Sequence, residues 1–239
     1  MRRLVGWLAF LLVVAIALLF AREYVRRHPQ DVPWTRLDLR QPIGAFTGRK
    51  LAALDDEPRQ CRALLLGAGA RDLALPPRRH GPDCGYDDGM RLAADGRAMR
   101  YLPAGIVTSC PVAAGLWLFE QRVVQHAAIR HFGVPATAID HAGSYSCRRL
   151  YGREIGEFSE HAGANAIDII GFRLADGRRI TVERGWPAAG PEAAFLREVR
   201  DGACRLFATV LSPDYNAAHR DHLHLDQASR GRLGWRLCR

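Results

Sequence analysis

Two histidine-bearing segments hold most of the chemistry in this chain. The first is Ser159-Glu160-His161-Ala162-Gly163-Ala164-Asn165-Ala166-Ile167-Asp168, with a histidine in a small, Gly-containing loop and an aspartate opening an apolar run seven residues later. The loop can fold the imidazole back over the start of that run. The second is His219-Arg220-Asp221-His222-Leu223-His224-Leu225-Asp226. Extended backbone alternates its faces, so His222, His224 and Asp226 share one face while Leu223 and Leu225 turn to the core. Catalytic Zn²⁺ takes three nitrogen or carboxylate ligands and keeps one position open for water. His161, Asp168 and His224 supply that set. A base is needed close to the bound water, and His222, two residues from a ligand on the same face, is placed for it. His219, at the mouth of this strand, can stabilise developing charge or orient the water. The competing reading is a polar strand-end network without metal. His28, His80, His126, His131 and His141 stand alone in the sequence, and the expectation gives them no role.

The elements that must position these residues read as an α+β domain: a small, mostly antiparallel sheet flanked by helices. Ser109 and Pro111 form a helix start, and Val112, Leu116, Phe119, Val123 and Ala127 follow at helical spacing until Gly133. Arg97 to Leu102 is expected as a strand after the Asp95-Gly96 turn. Ala166 to Leu174 and Arg179 to Glu183 flank Asp176-Gly177, a hairpin signal. A second amphipathic helix is expected over Ala193 to Leu211, carrying Phe195, Val199, Leu206 and Val210. The run from Ala63 to Ala70 reads as core.

The chain has 239 residues, 48% of them hydrophobic, enough for one domain with a proper core. Residues 1–21 are expected as a transmembrane anchor, 22–45 as a juxtamembrane linker settling onto the domain near Trp34, and 46–239 as the domain. Leu4 to Ala21 carries no charge and is flanked by Arg2, Arg3, Arg22, Arg26 and Arg27, so residues 4–21 would contact the membrane as a single-pass span. A cleaved signal peptide, with Ala15 and Ala17 near the cut, is the alternative. Six cysteines without a CxxC pair favour disulfides in an exported domain over a cysteine zinc site. Six allow 15 connectivities, and sequential pairing is the expectation. The net charge of +9 suits an anionic surface or polymer. Lys50 is the only lysine and the arginines are scattered, so nucleic acid is not an expected partner.

The segments carrying Ser159, His161 and Asp168, then His219, His222 and His224, resemble the zinc-site pattern of the D-alanyl-D-alanine metallopeptidases that are lysostaphin-like in fold. Their ending is most similar to that of the penicillin-insensitive murein endopeptidases. From about Pro33 to Cys238 the chain more closely resembles the bacterial extensin-like C-terminal domain family. The landmarks are Cys84-Gly85, Gly143-Ser144-Tyr145-Ser146-Cys147-Arg148, Ser159-Glu160-His161 and the segment from His219 to Asp226. The resemblance implies a metallopeptidase-like fold and a periplasmic zinc enzyme, held in the inner membrane, that cleaves peptide bonds in peptidoglycan with D,D specificity. The alternative is a non-catalytic wall-binding or envelope-assembly protein with a structural metal; protein partners are not specified. It also implies an arginine that binds substrate or steadies the oxyanion. Ser146 and Cys147 stand where that arginine would come, and Arg148 inherits the role, with Tyr145 as a structural residue. An acidic residue three before the final ligand occurs in related peptidases, which makes Asp221 a rival base. A regular strand would turn its side chain away from His222.

Overall fold

The structure is a computed structural model that describes residues 2–231 and 235–239. Helix α1 (Arg2–Arg27) buries none of its residues and contains a window of mean hydropathy 2.9, making it long and apolar enough to span a membrane or to be a signal sequence. The segment after it is fastened to the domain. Asp31 Oδ1 accepts from the Ala45 amide at 2.7 Å, Lys50 Nζ donates to the Pro29 carbonyl at 2.9 Å, and Val32, Leu37 and Leu39 are buried. Trp34, the expected contact, is instead 77% exposed, because the apolar residues beside it take the inward positions.

The remainder is α+β. Seven strands form the main sheet: β1 (Arg100–Leu102), β2 (Ala136–Gly143), β3 (Ala166–Leu174), β4 (Arg179–Thr181), β5 (Thr209–Leu211), β6 (Leu223–Asp226) and β7 (Leu237–Cys238). Their order is β7-β5-β6-β3-β2-β1, with β4 pairing β3 beyond the end of β6. The β1/β2 and β5/β7 pairs are parallel and the rest antiparallel. Ile167 and Ile169 of β3 and Leu223 and Leu225 of β6 are fully buried, and Phe172 joins them because the register slips between Ile169 and Gly171 opposite Asp140–His141. They join a core with α2 (Pro58–Ala68), α3 (Cys110–Phe119), α4 (Gln125–Phe132) and α5 (Pro191–Ala203). Successive strand residues point to opposite faces, which leaves Asp168 and His224 on the other side of the sheet.

The first helix forms as its sequence suggests. Ser109 Oγ caps it by accepting from the Val112 amide, Pro111 occupies the first turn, and Gly133 ends it in a left-handed conformation at φ +72°. Between α3 and α4 the ladder loosens into a π-helical turn, Glu120–Val124. Glu120 is fully buried there and accepts from Arg97 Nη1 and from the Tyr101 hydroxyl, both at 2.6 Å, while Arg97 also pairs with Asp72. This network removes Arg97 from the expected strand, which begins only at Arg100.

Four other expectations are corrected. The second helix stops at Ala203, and Leu206 and Val210 reach the core from a turn and from β5, not from a helical face. After Thr181 the expected strand becomes a short helix, Val182–Gly185. Within Ala63 to Ala70 only part is core: on α2 Leu65 is buried and Leu66 is 76% exposed, as an amphipathic helix requires. The disulfides are Cys61–Cys110, Cys84–Cys147 and Cys204–Cys238, so only the last pair is sequential. Packing of α2 on α3 brings Cys61 to Cys110, and Cys84 consequently bridges to the loop that precedes His161.

Candidate metal centre

The candidate ligands meet where β3 and β6 lie side by side. Asp168 and His224 are direct cross-strand partners, and Gly143 flanks Asp168 on the far side. Cross-strand neighbours on one face bring their side chains together without a loop having to hold them. His161 arrives from the short 3-10 turn Glu160–Gly163, whose Ser159 side chain accepts from the His161 amide.

His161 Nε2 lies 3.2 Å from His224 Nδ1 and 3.2 Å from Asp168 Oδ2, and His224 Nδ1 lies 3.0 Å from Asp168 Oδ1. The two contacts to Asp168 reach different carboxylate oxygens; taking one ligand atom from each residue, the three lie within 4.8 Å of one another, close to the separation of about 3.4 Å that tetrahedral zinc with bonds of about 2.0–2.2 Å requires. Both imidazoles are oriented from behind: His161 Nδ1 donates to the Ser144 carbonyl at 2.6 Å, and His224 Nε2 to Asp226 Oδ2 at 3.0 Å. Acceptors on the far ring nitrogen are the usual outer shell of a metal-binding histidine. Among the described residues, no other group of three such side chains converges in this way. Burial opposes ionisation of Asp168, but hydrogen bonds from His161 and His224 hold its carboxyl well below the usual range. Burial likewise opposes charge on His224, yet the carboxylates of Asp168 and Asp226 lift its pKa to about 9.

The triangle opens on a cleft of about 710 Å³, lined also by Arg148, Tyr151, His219 and His222. His222 Nε2 is 3.6 Å from Asp168 Oδ1, and its Nδ1 donates to Asp221 Oδ1 at 2.8 Å. The expectation that Asp221 faces away is therefore overturned. Residues up to Asp221 lie in a turn and β6 begins only at Leu223, so strand alternation does not apply to Asp221. Asp221 thus fixes the tautomer of His222, leaving Nε2 as the acceptor toward the cleft. Asn216 Oδ1 accepts from the Ala218 amide, which settles its orientation, so His219 Nδ1 donates to the same oxygen at 2.8 Å. Burial, then the neighbouring His222 and His224, push the His219 pKa down to about 4. Neutral and with a bare Nε2, His219 suits orienting a water better than holding an oxyanion. Arg148 Nη2 is 3.9 Å from Asp168 Oδ2 and offers the nearby cation. Tyr145 packs edge-on to Tyr86 beneath the Arg78 guanidinium, away from the chemistry.

Ser144, Asn216 and Glu160 escaped sequence reasoning. Ser144 acts through a backbone carbonyl and Asn216 through a turn, and neither leaves a residue-type signal. Glu160 lines the cleft beside Asn165, to which it bonds at 2.7 Å; burial raises its pKa.

Residues 59–239 match the family model described as "Extensin-like protein C-terminus". The chain belongs to the extensin-like family. The extensin-like region takes in the three candidate ligands and all six cysteines, and α1 lies outside it. No curated protein and no solved structure matches the chain.

Proposed function

We propose that this extensin-like protein is a periplasmic zinc metallohydrolase, anchored in the inner membrane by α1, that cleaves peptide bonds in peptidoglycan. The observation that carries the reading is the ligand triangle with both imidazoles fixed from behind and one side open to a cleft. Bound Zn²⁺ supplies Lewis acidity toward a peptide carbonyl and a water of lowered pKa. His222 Nε2 accepts a proton at the mouth of the triangle, with its Nδ1–H held by Asp221. His219 Nε2 orients the attacking water, and Arg148 faces the oxygen that gains charge. Three disulfides suit an oxidising compartment, and α1 suits retention at the membrane. Peptidoglycan and its D,D bonds come from the resemblance to the murein endopeptidases.

The test is to incubate zinc-loaded protein with purified muropeptides beside His222→Ala and a chelated sample. New amino termini from the loaded wild type alone support the reading. Equal product from all three samples contradicts it, and bound zinc with no product points to a wall-binding role.

A further inference from the structure

A group of exposed apolar side chains adjoins the candidate metal centre. Leu150, Tyr151 and Tyr215 line the cleft and are 41%, 53% and 40% exposed, and Ile155 follows in the same loop as Tyr151. Apolar surface gathered at a cleft marks a binding site in a way that scattered single residues do not. The backbone singles out Tyr151. It holds a left-handed conformation at φ +58°, which strains a bulky residue, and yet its ring stays at the surface. Packing of the ring in the core therefore does not explain the strain, whereas its display in the cleft does. Tyr151 also links two segments of the wall. Asn216 Nδ2 donates to its hydroxyl at 3.3 Å, the Tyr215 hydroxyl shares a hydrogen bond with it, and the Tyr215 ring stands edge-on to that of His219 at 5.4 Å. The two tyrosines thus combine apolar ring faces with a polar edge of hydroxyls and amide. A purely apolar ligand leaves that edge unmatched, and a cationic one finds the Arg153 guanidinium already 5.6 Å from the Tyr151 ring. The ligand that fits is two-sided in the same way: a pyranose, with C–H groups on its face and hydroxyls round its rim.

We propose that Tyr151 and Tyr215 form a platform for a sugar ring, so that the substrate is a stem peptide still attached to its glycan. The inference rests on the peptidoglycan reading and deepens it. The platform is continuous with the cleft that holds His161, Asp168 and His224, so its occupant is continuous with the peptide to be cut. The sugar face lies on the tyrosine rings, its hydroxyls meet the tyrosine hydroxyls and Asn216, and its peptide leads into the cleft.

The probe is a muropeptide carrying its disaccharide, compared with the same peptide after the sugar has been removed. Binding to the full-length protein in lipid nanodiscs is measured by calorimetry in chelator, where no turnover interferes. The glycosylated form is expected to bind about tenfold more tightly, since covering the ring faces takes apolar area out of water. Tyr151→Gly is the decisive variant, because glycine favours the left-handed backbone and the loop keeps its course without the ring. It is expected to remain folded and to bring the sugar preference below about twofold. Tyr151→Phe keeps the ring and is expected to keep most of the preference. Equal binding of the two forms to the wild type overturns the proposal, as does an unchanged preference in folded Tyr151→Gly. A dimer that Tyr151→Gly converts to monomer, with no sugar preference in either, would assign the patch to a second copy of the chain and also overturn it. Because binding is read without metal, failure here leaves the zinc reading standing. A sugar preference in a protein that never takes up zinc would instead spare the platform and remove the peptidase.

Discussion

Asp168 is the hub of the centre, since His161, His224, His222 and Arg148 all face its carboxylate. Its charge and the proton on His224 are two halves of one arrangement. With a pKa of about 9, His224 is protonated at neutral pH in the metal-free protein. Its contribution to stability is present below the ordinary histidine pKa and is lost as pH rises through about 9. The Asp168 contribution has the opposite sign, present at neutral pH and lost in acid. A metal must displace the His224 proton, so zinc loading at pH 7 is expected to release about one proton, and affinity to rise about tenfold per pH unit until near pH 9. Titration calorimetry in buffers of different ionisation enthalpy checks this. His222→Ala is expected to keep bound zinc and lose about 10²- to 10⁴-fold in turnover. Asp221→Asn, which only loosens the ring, is expected to lose about 10- to 100-fold. Turnover on muropeptides, with zinc content measured on the same samples, separates the two.

At the scale of elements, period-two alternation made β6 legible: Leu223 and Leu225 are fully buried and His224 faces away from them. The capped start at Ser109 and the left-handed Gly133 marked both ends of the first helix. The same pattern reading overran the second helix, because Leu206 and Val210 continue its spacing although a turn and a strand carry them. Arg97 was misread for another reason. Nothing local indicates that its guanidinium closes on Asp72 and Glu120 inside the core. Removing one member of a buried ion network leaves uncompensated charge, so Arg97→Met is expected to cost about 3–5 kcal/mol in denaturant unfolding. A loss below about 1 kcal/mol would mean that the two carboxylates find other partners or take up protons.

For the whole molecule, three disulfides staple the fold. Cys61–Cys110 joins α2 to α3 within the helical layer, and Cys84–Cys147 ties the small hairpin at Gly85 to the loop that precedes His161. Their connectivity was beyond the sequence because it depends on which elements pack, not on spacing. With a separation of 49 residues, the Cys61–Cys110 bridge is expected to stabilise by about 4 kcal/mol in the chain-entropy picture, read as the loss in the paired Cys→Ser variant. That His161, Asp168 and His224 converge was legible because their types and spacing suit a metal site. The orienting Ser144 carbonyl emerged only with the fold.

Metal content is the most direct measurement of the central claim: zinc per chain after supplementation and desalting, for wild type and His161→Ala. A zinc centre at His161, Asp168 and His224 requires about one zinc per folded wild-type chain and little in the variant. No retained zinc in the wild type, or full retention in His161→Ala, would contradict it.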